Sequence, residues 1–166
     1  MNSIPESATL LAGFVLAHAV WNVSDFPAGE QLVPLAVIES GGERHLQRFD
    51  ADTQEEAIAA GEATMSDAMA TSDGWAFARD GVMNDAGRKV DTLTVDFWAK
   101  GMVRPACLIQ QYQSPAKANR FRLLGEPRLV VGGVIQLPEV AKSLLDQVHK
   151  GIQSHFKAAP LWESWR

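Results

Sequence analysis

Very little in this sequence is chemically committed. There is one cysteine, Cys107, in 166 residues. It cannot close an internal disulfide, and it fits a reducing compartment. Its neighbours, Ala106, Leu108 and Ile109, suggest a small core residue on a strand rather than a nucleophile. The histidines His18, His45, His149 and His155 form no metal-ligand spacing. The G-x-S-x-G, G-x-G-x-x-G and P-loop signatures are absent, so no cofactor is expected. Ser114–Pro115–Ala116–Lys117 has the S-x-x-K spacing but lacks the companion elements of that chemistry. Residues 80–91 imitate a calcium loop. With Gly87 at the loop glycine, however, Val82, Ala86 and Leu93 fall at ligand positions. Asp91 and Asp96 are five apart on a strand and point to opposite faces.

Positive charge is also in short supply. The net charge of −5 argues against general nucleic-acid binding. No Lys or Arg precedes the apolar stretch ATLLAGFVLAHAVWNV at residues 8–23, as a secretory signal would need. That stretch contains His18 and is shorter than the roughly 20 residues of a membrane span. Asn22–Val23–Ser24 is a glycosylation sequon with no signal to deliver it. The expectation is a cytoplasmic protein that contacts neither membrane nor nucleic acid.

What is present reads as one α+β domain over residues 1–166. A hydrophobic fraction of 46% suits a globular core. Ser7 can cap a helix that runs to Val23. It is apolar all round, and the expectation is that Leu10, Phe14 and Trp21 face the sheet. Residues 25–30 form a loop with Pro27 and Gly29. Strands over 32–39 and 43–50 flank Ser40–Gly41–Gly42, with Pro34 marking an edge strand or a strand that starts after it. Thr53–Gln54–Glu55–Glu56 is a capping box opening a helix to about Ala70. Strands over 75–83 and 89–98 flank a turn at 84–87. A strand at 103–113, a loop at 114–119, and short strands at 121–124 and 128–131 follow. Gly132–Gly133 then breaks the pattern. Pro138 opens a last helix with Ala141, Leu144, Leu145, Val148 and Ile152 on one face. The predicted fold is an antiparallel sheet of about five to seven strands. Three main helices (N-terminal, middle and C-terminal) pack mainly on one face.

Charge is segregated along the chain. Residues 39–96 hold 13 acidic and 5 basic residues, whereas residues 97–128 hold 6 basic residues and one acid, Glu126. Arg120 and Arg122 alternate with Phe121 and Leu123, so a strand would project both guanidiniums from one face toward an anion. The reading that follows is a non-enzymatic interaction module of adaptor, immunity-type or chaperone-like character. Trp75, Phe77, Arg79 and Trp98 are its contact residues, joined by Arg120 and Arg122. The apolar girth of the first helix also points to a homodimer. The alternative is a small enzyme or ligand-binding domain. Its pocket between helix and sheet would bind an anionic small molecule through His18, His45, Arg120 and Arg122, with Cys107 nearby.

Overall fold

In the computed structural model the described residues are 3–27, 30–115 and 120–166. Gly29 and the loop residues 116–119, with Lys117 and Asn119, lie outside them. The elements run α1 (Glu6–Val23), β1 (Leu35–Ser40), β2 (Glu43–Arg48), α2 (Gln54–Ala68), β3 (Gly74–Asp85), β4 (Arg88–Ala99), β5 (Ala106–Gln113), β6 (Arg122–Val131), β7 (Val134–Ile135) and α3 (Pro138–Gln153). A 3-10 turn at Ala159–Leu161 and a short α4 at Trp162–Trp165 follow. The seven strands form one antiparallel sheet in the order β2-β1-β3-β4-β5-β6-β7. The expected α+β class therefore holds.

Local chemistry sets the turns. Gly41–Gly42, Ala86–Gly87 and Gly132–Gly133 each place two successive residues at positive φ, as two-residue hairpins require. The third pair corrects the sequence reading, because Gly132–Gly133 folds the chain back to make β7 rather than ending the sheet. The two short strands expected at 121–124 and 128–131 are a single strand, β6. Its pairing with β5 slips between Ile109 and Gln111. Gly125 sits in this stretch at φ +78°. Its carbonyl accepts from the buried Gln110 side chain at 3.0 Å. Pro34 ends before β1, and β1 lies inside the sheet. The Thr53 hydroxyl accepts from the Glu56 amide at 3.1 Å, as the capping box implied.

The helices divide between the two faces. Gly61 of α2 lies against the Phe77 ring, so α2 covers the β3 face that carries Trp75 and Phe77. The opposite β3 face presents Ala76 and Ala78, both fully buried under α1. Two of the three main helices, α1 and α3, share that face. They approach closely where Gly13 meets the Val148 carbonyl and Gly151 meets the Leu10 carbonyl. A Cβ at either glycine would collide with backbone.

The orientation of α1 differs from expectation. Leu11, Val15, Leu16, Ala19 and Val20 are among the buried residues, while Leu10, Phe14 and Trp21 are only partly covered. Burial of each large aliphatic chain contributes about 1.5–3 kcal/mol. The small Ala76 and Ala78 beneath let that branched face settle closest to the strands, and the aromatics turn to the flank. The sheet and α3 together account for the apolar girth of α1, which therefore carries no argument for a partner. No helix among the described residues is long and apolar enough to cross a membrane.

Candidate partner-binding groove

β6 meets β5 along one side. On the other side it meets β7 only at Val130 and Val131. Over Leu124–Arg128 its outer side faces α3 instead of a strand. A groove of about 680 Å³ opens there, within the range of ligand and peptide sites. Leu124, Leu129, Ile135, Leu137 and Leu145 supply its apolar wall. Pro127 withholds one backbone donor from that edge.

Chain geometry explains the groove. The Gly132–Gly133 hairpin makes β7 only two residues long. Leu137 then caps α3, with Pro138 in its first turn. The helix must cross back toward α1, because Gly151 is seated there. A wedge is left between helix and strand.

The charges on the rim pair among themselves. Lys142 meets Asp146 at 3.0 Å, and Arg128 meets Asp85 at 3.5 Å. Glu126 receives both Arg166 and His149, the latter at 3.2 Å. The Gln111 side chain and Arg128 hold the Asp85 carboxyl below the usual carboxylate range, with Gln111 the larger cause. What the groove offers outward is therefore mostly apolar surface. Five of the eleven large exposed apolar side chains among the described residues fall between 131 and 140: Val131, Val134, Ile135, Leu137 and Val140. Of these, Ile135 and Leu137 line the groove, while Val131 lines a separate cleft with Ile4, Val103 and Pro105.

The residues singled out from sequence are dispersed. Trp75, Phe77 and Trp98 are 3%, 1% and 5% exposed. They are interior side chains, not contact residues, because α2 lies on them and the two tryptophans stack across the β3–β4 pair. The Trp98 indole donates to the Met102 carbonyl at 2.9 Å. Arg79 is half-buried and paired with Asp96. Arg120 and Arg122 are both exposed at the start of β6, and neither makes an ion pair among the described residues. His45 is exposed on β2 beside Glu43. His18 is part of α1 and meets His155 instead. Cys107 is held as a thiol, pushed up to about 12 by burial and then by Asp96. These groups share no pocket, so the arrangement expected for a helix–sheet anion site is not formed.

Sequence reasoning missed two buried polar clusters. Asp80 is 4% exposed and accepts from the Tyr112 hydroxyl at 2.8 Å and the Leu32 amide at 3.1 Å. Burial raises its carboxyl above the usual range, against the pull of those donors. It fastens the segment before β1 to β3. The other cluster is the His18–His155 pair, with Nδ1 and Nε2 3.0 Å apart. Among the described residues no group of three or more metal-ligating side chains occurs. No family model, curated protein or solved structure matches this chain.

Proposed function

We propose that this chain is a non-enzymatic protein-interaction module. Its groove between β6 and α3 receives an extended, apolar segment of a partner protein. The observation that carries this reading is the pair of exposed apolar side chains, Ile135 and Leu137, among the residues that line the groove. An extended segment can pair with the unfilled edge of β6 while alternate side chains enter the apolar wall. Self-paired rim charges leave recognition to shape and apolar contact. The half-buried thiol of Cys107 suits a reducing compartment, and we assign the protein to the cytoplasm on that basis.

Selection from a library of displayed linear peptides tests the reading. Peptides should be enriched on the intact protein and lost when the bait is Ile135→Lys/Leu137→Lys. They should share alternating apolar positions. No enrichment, or enrichment that survives the double substitution, rejects the groove. A second copy of the chain is the competing occupant. A dimeric mass abolished by Ile135→Lys would place it there instead.

A further inference from the structure

The groove is closed at one end and open at the other. At the closed end β7 pairs with Val130 and Val131, and the Gln136 amide donates to the Leu129 carbonyl at 2.8 Å. At the open end its wall runs back along β6 to Leu124. The next position on that strand face is Arg122. Leu124 pairs with Gln111 and Arg122 with Gln113 in one unbroken register. Both side chains therefore project from the same face, about 7 Å apart along the strand. An extended segment that leaves the groove past Leu124 meets Arg122 within about two residues. Phe121 is buried, stacked on the Tyr112 ring at 5.6 Å and edge-on to the Trp165 ring at 5.8 Å. That anchor commits Phe121 to the core, and the residues on either side of it, Arg120 and Arg122, are exposed.

The two arginines differ from the other cations around the groove. Arg128 has Asp85, Lys142 has Asp146, and His149 and Arg166 both have Glu126. Arg120 and Arg122 meet no acid among the described residues. Glu126, the one acid in β6, is already held by two cations and does not neutralise them. A chain of net charge −5 therefore carries a local positive site at the open end of its apolar groove. Opposite charge across such an interface sets which partner docks and in which register more than how tightly it binds. A guanidinium meets a carboxylate with two parallel hydrogen bonds, so the matching groups are Asp and Glu side chains.

We infer that the partner segment is apolar at alternate positions where it lies along the groove and acidic at the end that passes Arg122 and Arg120, an inference that rests on the groove as the docking site. Because β7 bars the other end, the acids sit at one end of the segment only. The apolar wall supplies most of the affinity, and the two arginines select among apolar segments and fix their direction.

The test is selection from a displayed library of linear peptides on the full chain, followed by titration of a selected, labelled peptide by fluorescence anisotropy. Selected peptides should carry Asp or Glu clustered at one end of the apolar alternation. Arg122→Gln should weaken binding about threefold and Arg120→Gln/Arg122→Gln about tenfold, the scale of exposed charge pairs. Arg104→Gln, which removes the same charge from an exposed position between β4 and β5, should leave binding unchanged. Raising the salt from about 0.05 M to about 0.5 M should weaken the intact protein more than the double variant. Peptides without a terminal acidic cluster, or equal affinity of the double variant, overturn the inference and leave the groove standing as the docking site. Acidic peptides that bind Ile135→Lys/Leu137→Lys as tightly as the intact protein also overturn it, because their site then lies outside the groove. Enrichment of no peptide at all removes the groove and the inference together.

Discussion

At the β2 edge of the sheet the chain places Glu43, Arg44, His45, Gln47 and Arg48 in a strand exposed along its whole length, with Leu46 as its single large apolar residue. At the β7 edge it places Val134 and Ile135, both more than half exposed, and follows them with exposed Leu137 and Val140. Exposed strand edges template unwanted pairing, and charge is the usual protection. The β2 edge has that protection and the β7 edge lacks it. Shortness limits the hazard at β7, since only two residues pair there. The proposed function makes this unguarded edge the place where a partner segment docks. The guarded edge instead contributes Arg44 and Arg48 to the surroundings of the histidine pair.

Removing the wall of the apolar side should have the largest effect. Gly151→Ala drives a methyl group into the Leu10 carbonyl and levers α3 off α1. We expect a loss of about 3 kcal/mol, the upper range for overpacking, read as a lower urea midpoint. Unchanged stability would show that the helix crossing is looser than the geometry says.

Acid should act next, and from the charged side. His18 is held at about 4, against the 6.5 of an ordinary imidazole, by burial first, then by His155 and by Arg48 and Lys157. Below 6.5 the unfolded chain takes up a proton that the folded chain refuses. This contribution is whole above that pH and is lost as pH falls toward about 4. After allowance for solvent screening we expect about 1–2 kcal/mol. In His18→Gln the pH slope of the melting temperature over this window should flatten. An equally steep slope in that variant would assign the effect elsewhere.

Making the two edges alike sharpens the comparison further. Ile135→Lys gives the apolar edge the chemistry of the guarded one. Binding of a selected peptide should fall at least about tenfold while stability moves by less than about 0.5 kcal/mol. The reciprocal change, His45→Val/Gln47→Val, should leave stability within about 0.5 kcal/mol and produce concentration-dependent association by light scattering. A double variant that stays monomeric would mean charge is not what guards β2.

Much of the fold was legible because its signals are local. The capping box at Thr53, the glycine pair at 41–42 and the apolar stripe of α3 each act over a few residues. The orientation of α1 was not legible, because a helix apolar on every side carries no stripe to orient it. Trp75, Phe77 and Arg79 alternate along β3 and share a face, but nothing local says which face α2 covers. The pairing of His18 with His155 spans 137 positions and has no sequence period. The groove had a signal that was misread. Val130–Val131, Gly132–Gly133, Val134–Ile135 is a hairpin pattern of strand, two-residue glycine turn and strand. Read that way, it would have disclosed β7 and its exposed apolar residues.

The central claim is that the β7 side is the contact surface and the β2 side is not. A photoreactive side chain placed at Ile135 in one protein and at Leu46 in another tests it in cells of the native host. The account predicts a discrete cross-linked species from position 135 and none from position 46. A cross-link at position 46 alone, or equal yields from both edges, would contradict it.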